Sequence, residues 1–187
     1  MKKKTGYRYG FSSYYLLTVV LSFLGWCFET GYVYLRWGKW SDCGFMTLPF
    51  CPIYGCTLMA VYWVMGTPHQ ARGILKRVQP NILRYVFYLG LAFLIPSIME
   101  WLVGYFFDNV FHLRLWSYKD MPYNVNGYVC LPISLIWAGL IFLFMRFLFL
   151  PLKGAVGKIP TLLAWIFFVL TVLIFGADIV SNVAKRL

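Results

Sequence analysis

The sequence predicts an all-α polytopic membrane protein of about five transmembrane helices, built as a parallel two-helix repeat (helices 1–2 and 3–4) with a fifth helix outside it. Three observations predict it. First, 61% of the 187 residues are hydrophobic, 12% are charged and the mean hydropathy is +0.70, a composition foreign to soluble domains. Second, the apolar residues gather into five runs, near 14–35, 48–66, 82–107, 129–150 and 160–180. Each is close to the roughly twenty residues that cross a hydrocarbon core of about 30 Å as a helix. Third, two parts of the chain carry the same features in the same order: an intramembrane glutamate, a loop with a Trp-Ser pair, and a helix opening on cysteine and proline. The connecting segments are short, so residues 1–187 read as a single transmembrane domain. One repeat unit covers about 11–66, a second about 82–150, and the fifth helix about 160–180.

The segment before the first run, "MKKKTGYRYG", imitates the charged front of a signal peptide. It lacks a small-residue cleavage site, and the run behind it is long and contains Glu29, so an uncleaved first helix is expected. Thr18, Ser22 and Gly25 precede Glu29 at intervals of four, three and four, which puts them on one helical face with the carboxylate. Small and hydroxyl residues there permit close helix approach. Glu29 should therefore face the bundle, because a charge turned to lipid near the bilayer centre costs about 3 kcal/mol or more.

After the loop "GKWSDCG", with Trp40-Ser41, the second run opens at Cys51-Pro52 in "FCPIYG". Proline suits the first helical turn, so a helix N-terminus with free amide donors is expected near Cys51. A basic loop, Thr67 to Arg84, leads to the third run and to Glu100 in "MEWLVGY". Ser97 and Gly104 lie three before and four after that glutamate. Pro96 releases the carbonyl of Ala92 and should kink the helix, opening space beside the carboxylate. The next loop carries Trp116-Ser117, and "DMPYNVNGYVCLP" then brings Asn124, Asn126 and Gly127 to the fourth run, which opens at Cys130 and Pro132. Those asparagines read as turn chemistry that caps the entry to the fourth helix, or as a polar lid whose amides contact a ligand. From glutamate to cysteine there are 22 residues in the first unit and 30 in the second, so the second loop carries an insertion.

The net charge of +11 follows the expected topology. Eleven of the 17 basic residues fall at the N-terminus and in alternate loops: Lys2, Lys3, Lys4, Arg8, Arg72, Lys76, Arg77, Arg84, Arg146, Lys153 and Lys158. The positive-inside rule then favours a cytoplasmic N-terminus and an outside C-terminus, and a plasma membrane is the expected location. Basic charge here points to orientation and to anionic lipid headgroups, and not to nucleic acid.

Each buried carboxylate needs a hydrogen-bond donor, a proton, a cation or water. The bland reading has Trp26 and Tyr32 bonding Glu29 and locking the bundle. The functional one is an outward-facing polar pocket between the repeats, taking a small and cationic solute. Cys51 and Cys130 could pair as a disulfide or stay as thiols near helix ends, and a membrane-embedded thiol enzyme is the reading that would use them. Cys27 and Cys56 read as buried small hydrophobes. The sequence holds no GxxxxGK[ST], no HExxH with its two histidines His69 and His112, and no GxSxG, so no cofactor or nucleotide chemistry is expected of this chain.

The stretches "SFLGWCFETGYVYLRWGKWSDCGF", "LPFCPIYGCT", "MEWLVGYFF" and "LWSYKDMPYNVNGYVCLPISLIWAG" closely resemble the CmpB-like, type IV group of bacterial ABC transporter permeases over about residues 11–150. The matching positions are Gly25, Trp26, Glu29, Gly44, Phe45, Pro49, Cys51, Pro52, Tyr54, Gly55, Glu100, Trp116, Asn124, Asn126, Gly127, Cys130 and Trp137. One departure is "MTLPF", where the family tends to have glycine before the proline. The resemblance implies a permease subunit with a cytoplasmic ATPase partner, and the small size of the chain adds further copies of itself to the expected partners. Candidate ligand-binding residues are Glu29, Glu100, Trp26, Cys51, Tyr54, Asn124, Asn126 and Cys130. A non-transporting structural or regulatory membrane protein is the alternative.

Overall fold

The computed structural model describes residues 10–38, 40 and 45–186. Lys2, Lys3, Lys4, Arg8, Ser41, Cys43 and Gly44, which figure in the sequence reading, lie outside the described residues. Among those described, the chain is all-helical apart from one two-stranded hairpin. Its elements are α1 (Phe11–Trp37), α2 (Pro52–Met65), a 3-10 turn (Gly73–Arg77), α3 (Asn81–Val110), β1 (Asn124–Val125), β2 (Val129–Cys130), α4 (Leu131–Phe147), α5 (Phe149–Val156) and α6 (Thr161–Arg186).

Three stretches are long and apolar enough to cross a membrane: Phe11–Leu35, Asn81–Val110 and Thr161–Lys185. A fourth is reached if α4 and α5, bent by 53°, count as one span. The difference from five uninterrupted spans has a local cause at three prolines. At the second run the helix is only 14 residues, about 21 Å long. Pro52 is its first residue, Pro49 stands just before, and each proline pushes its predecessor out of the helical region, so no helix forms over 48–51. Residues 45–51 instead run irregularly against the bundle, with Met46 and Cys51 buried and the Cys51 amide bonded to the Ser22 carbonyl of α1 at 3.1 Å. At the fourth run Pro151 would set its ring against the carbonyl of Phe147, and the helix breaks there into α4 and α5. By contrast α3 passes through Pro96 as one helix of 30 residues.

Helix α1 packs on α2, α5 and α6, while α3 packs on α2 and α4. The core lies toward the end where α2 finishes and α3 begins, and includes Leu17, Leu21, Met59, Met65, Tyr88, Met145 and Phe149. The loop below it is pinned rather than loose: Tyr88 donates to the Gly66 carbonyl at 3.1 Å, Gly66 and Ala71 form a bridge, and Leu75 is buried. Arg72 and Lys153 lie over the Tyr62 ring at this basic end. Glu29, Glu100, Asp108 and Asp178 lie toward the opposite end, which also holds Arg114, paired with Asp108.

Candidate site at the paired glutamates

Close backbone approach builds the first half of the site. Thr18 donates its hydroxyl to the Tyr14 carbonyl and Ser22 donates to that of Thr18, so the polar atoms of this face are satisfied within α1 and the surface stays flat. Helix α2 lies directly on it. A Cβ on Gly55 would sit 2.2 Å from the Ser22 hydroxyl and 2.3 Å from the Thr18 carbonyl oxygen, and one on Gly25 would sit 2.4 Å from the Tyr54 Cβ. This seats the start of α2 beside Glu29, which is half-buried. The Cys51 thiol donates to Glu29 Oε2 at 3.5 Å, and the Tyr54 side chain also bonds to Glu29. The unpaired amides at a helix N-terminus favour a nearby carboxylate as well.

The second half is assembled by the hairpin on the end of α3. Asn126 and Gly127 both have positive φ, 54° and 73°, the left-handed pair that a tight Asn-Gly turn requires. Asn124 donates to the carbonyls of Met121 and Lys119 at 2.8 and 3.2 Å and accepts from the Gly127 amide at 3.0 Å. The Trp116 indole donates to the Tyr128 carbonyl at 2.8 Å, over Gly104, where a Cβ would meet the Tyr128 and Trp116 rings at 3.0 and 3.3 Å. Tyr128 in turn donates to Asp108 at 2.7 Å, and Arg114 reaches Asp108 at 3.6 Å and the Asn126 carbonyl at 2.7 Å. Held by these contacts, Tyr118 donates its hydroxyl to Glu100 Oε1 at 2.9 Å.

The two halves meet. Glu29 acts electrostatically on Glu100 and on Tyr118, Tyr118 acts on Tyr54, and Cys130 acts on Tyr118. Of the eight residues singled out from sequence, five therefore share one polar cluster: Glu29, Cys51, Tyr54, Glu100 and Cys130. Asn124 and Asn126 serve the hairpin turn beside it, and correct the expectation of a helix cap, since α4 starts after Cys130 with no side-chain cap. Trp26 stacks on Phe23 at 6.2 Å, in an aromatic row that continues through Phe50 to Phe175 of α6. Cys51 and Cys130 are both buried, and Cys130 lies 3.8 Å from the Met121 sulfur. Cys27 and Cys56 correct the expectation of buried hydrophobes, since both are exposed on helix surfaces. Among the described residues no group of three or more His, Cys, Asp or Glu side chains gathers as metal ligands.

Sequence reasoning missed Tyr118 and the α6 pair Asp178 and Asn182. Tyr118 directly follows the Trp-Ser pair, so its position was marked while its partner was not. Asp178 is an acid in the fifth apolar run and carried the same signal as Glu29.

Burial, and then the neighbouring Glu100 carboxylate, hold the Tyr118 phenol above the ordinary tyrosine range, and the bond to Asp108 raises that of Tyr128. A raised value means the folded state holds the proton longer than the unfolded chain does. The stability these groups contribute is therefore complete below pH 10, the ordinary tyrosine value, and falls as pH rises past it. Alkaline titration followed by tyrosinate absorbance should show these two tyrosines ionising late and together with loss of helix packing. The Tyr118→Phe variant should lose the Tyr118 part of that alkaline destabilisation, and an unchanged profile would show that Tyr118 does not carry it.

A family model described as "Putative ABC-transporter type IV" matches residues 16–183, nearly the whole chain. No curated protein and no solved structure matches it.

Proposed function

This chain belongs to the "Putative ABC-transporter type IV" family, and from that membership we propose that it is a permease-type membrane subunit whose ligand position is the Glu29 and Glu100 cluster. One observation carries the reading. Two carboxylates, brought from separate helices to within electrostatic reach of one another, have hydroxyl and thiol partners but form no ion pair with a described Lys or Arg. Intramembrane acids of this kind mark ion and substrate paths. Two carboxyl groups side by side offer oxygen ligands to a small cation, and ring faces such as Tyr54 and Trp137, 5.3 Å apart, offer it a second attraction.

The architecture that goes with this reading is five crossings. Residues 45–51 together with α2 would form the second, α4 with α5 the fourth, and the α1–α2 and α3–α4 pairs would be related by a parallel repeat. In support, each pair joins a glutamate-bearing helix to one that opens on cysteine and proline. The excess of Lys and Arg in the N-terminal segment and the alternate loops, 11 of 17, supports a cytoplasmic N-terminus and an outside C-terminus, with the glutamates opening outward and a plasma membrane as the location. The expected partners are lipids, a cytoplasmic ATPase subunit and further copies of the chain.

The observation that both carboxylates already hold donors favours a second reading, a structural or regulatory membrane partner in which Tyr54, Cys51 and Tyr118 lock the bundle. The thiol-enzyme alternative gains nothing from two buried cysteines.

Purifying the tagged chain from native membranes in mild detergent, with bound proteins and small molecules identified by mass spectrometry, tests the permease reading. The expected result is a stoichiometric ATPase subunit. Recovery of the chain alone or only with copies of itself would overturn the assignment as a permease subunit.

A further inference from the structure

The irregular segment 45–51 is held from two sides. At its far end Cys51 bonds to α1, through its amide to Ser22 and its thiol to Glu29. At its near end the partner is α6, 131 residues further along the chain. The Thr47 amide donates to Asp178 Oδ2 at 2.9 Å, the Thr47 hydroxyl donates to Asp178 Oδ1, and the Asn182 amide reaches the same hydroxyl at 3.5 Å. Between these anchors Phe50 packs on Phe175 of α6 with ring centroids 4.8 Å apart. Helix α6 otherwise shows a largely apolar and exposed surface, including Leu162, Val169, Leu173 and Val180, and its helix contacts are with α1. A carboxylate on such a helix is costly unless it is used. Here both of its oxygens accept from one residue of a segment that has no helix of its own to satisfy it.

We infer that Asp178 is a positioning residue, a latch by which α6 keeps the 45–51 segment closed over Glu29 and so fixes Cys51 and the start of α2. This goes beyond the proposed transport role and does not depend on what the cluster binds. With the latch intact the Cys51 thiol is shielded at 4% exposure. When it opens, the segment swings on residues that lack regular secondary structure, and Cys51 meets water. Cys130, fully buried, is held in β2 of the hairpin and not by the 45–51 segment, and serves as an internal control.

The test is labelling of the full-length protein in membrane fragments open on both faces, using a charged, membrane-impermeant methanethiosulfonate and reading Cys51 and Cys130 separately by peptide mass spectrometry. In the wild type both thiols label slowly. Asp178→Ala and Thr47→Val should each raise the Cys51 rate about tenfold or more, the scale of losing a charge-assisted hydrogen bond, with Cys130 unchanged. Thr47→Ser keeps both donors and should restore protection. An equal rise at both cysteines would mean general loosening and would overturn the latch. So would an unchanged Cys51 rate in Asp178→Ala, or a Thr47→Ser variant that labels as fast as Thr47→Val. Because the readout is thiol exposure, it stays valid whether or not an ATPase partner is found.

Discussion

Gly55→Leu should leave no folded protein. The position has no room even for a methyl group, since a Cβ would lie 2.2 Å from the Ser22 hydroxyl and 2.3 Å from the Thr18 carbonyl oxygen. The hydroxyl could rotate away, but the carbonyl belongs to the backbone of α1, and relieving that contact means pushing two helices apart. Overpacking a well-filled core costs about 1–3 kcal/mol where side chains can adjust, and here they cannot, so Gly55→Ala should reach or exceed the top of that range. Separating α1 from α2 would also undo the Cys51 amide bond to Ser22 and the seat of Tyr54 beside Glu29. Gly90→Ala in α3 is the matched control, with nothing within 4 Å of the added carbon, and should be neutral or slightly stabilising by helix propensity. The surviving folded fraction after heating in detergent, read by size-exclusion chromatography, measures all three. Ser22→Gly should fail to rescue Gly55→Ala, because the Thr18 carbonyl remains. Full rescue would show that the clash is with the side chain alone.

The second large effect is expected at the two carboxylates, where it separates the two readings of function. In Glu29→Gln with Glu100→Gln the side chains keep their volume and can still accept from Tyr54 and Tyr118, while the pair of ionisable carboxyl groups is gone. If the cluster binds a cation, small molecules retained by the wild type should be lost from the double variant with little change in thermal stability. If the cluster is a lock, stability should move and no ligand difference should exist. Glu100→Ala is harsher. It strips the Tyr118 hydroxyl of its 2.9 Å acceptor in a half-buried setting and should cost about 1–3 kcal/mol. A cycle with Tyr118→Phe isolates that bond, because the coupling between contacting residues falls in the range of about 0.5–3 kcal/mol. A coupling near zero would mean that the tyrosine and the glutamate act separately, and would remove Tyr118 from the cluster.

What the sequence by itself determined is what depends on local chemistry. Helical period alone placed Thr18, Ser22 and Gly25 on the face of Glu29, and that is where α2 lies, because side-chain direction in a helix is set by its geometry. The asparagines and glycine of 124–127 marked a turn for the same kind of reason, since Asn and Gly accept positive φ, while the hairpin they close, in place of a helix cap, came from the structure. The proline stops were also legible in principle. Pro49, Pro52 and Pro151 forbid regular helix around them, and the hydropathy of runs 48–66 and 129–150 masked this, because apolar content counts residues without asking whether the backbone can be helical.

Only the tertiary structure decided the partners. Tyr118 with Glu100 and Thr47 with Asp178 are 18 and 131 residues apart, and nothing in either local sequence names the other. Sequence physics says that a carboxylate at membrane depth must find a donor. Which donor it finds depends on helix crossings, on glycines that let backbones touch, and on where irregular segments come to rest. Those are properties of the packed chain as a whole, and they turned two separate glutamates into one cluster.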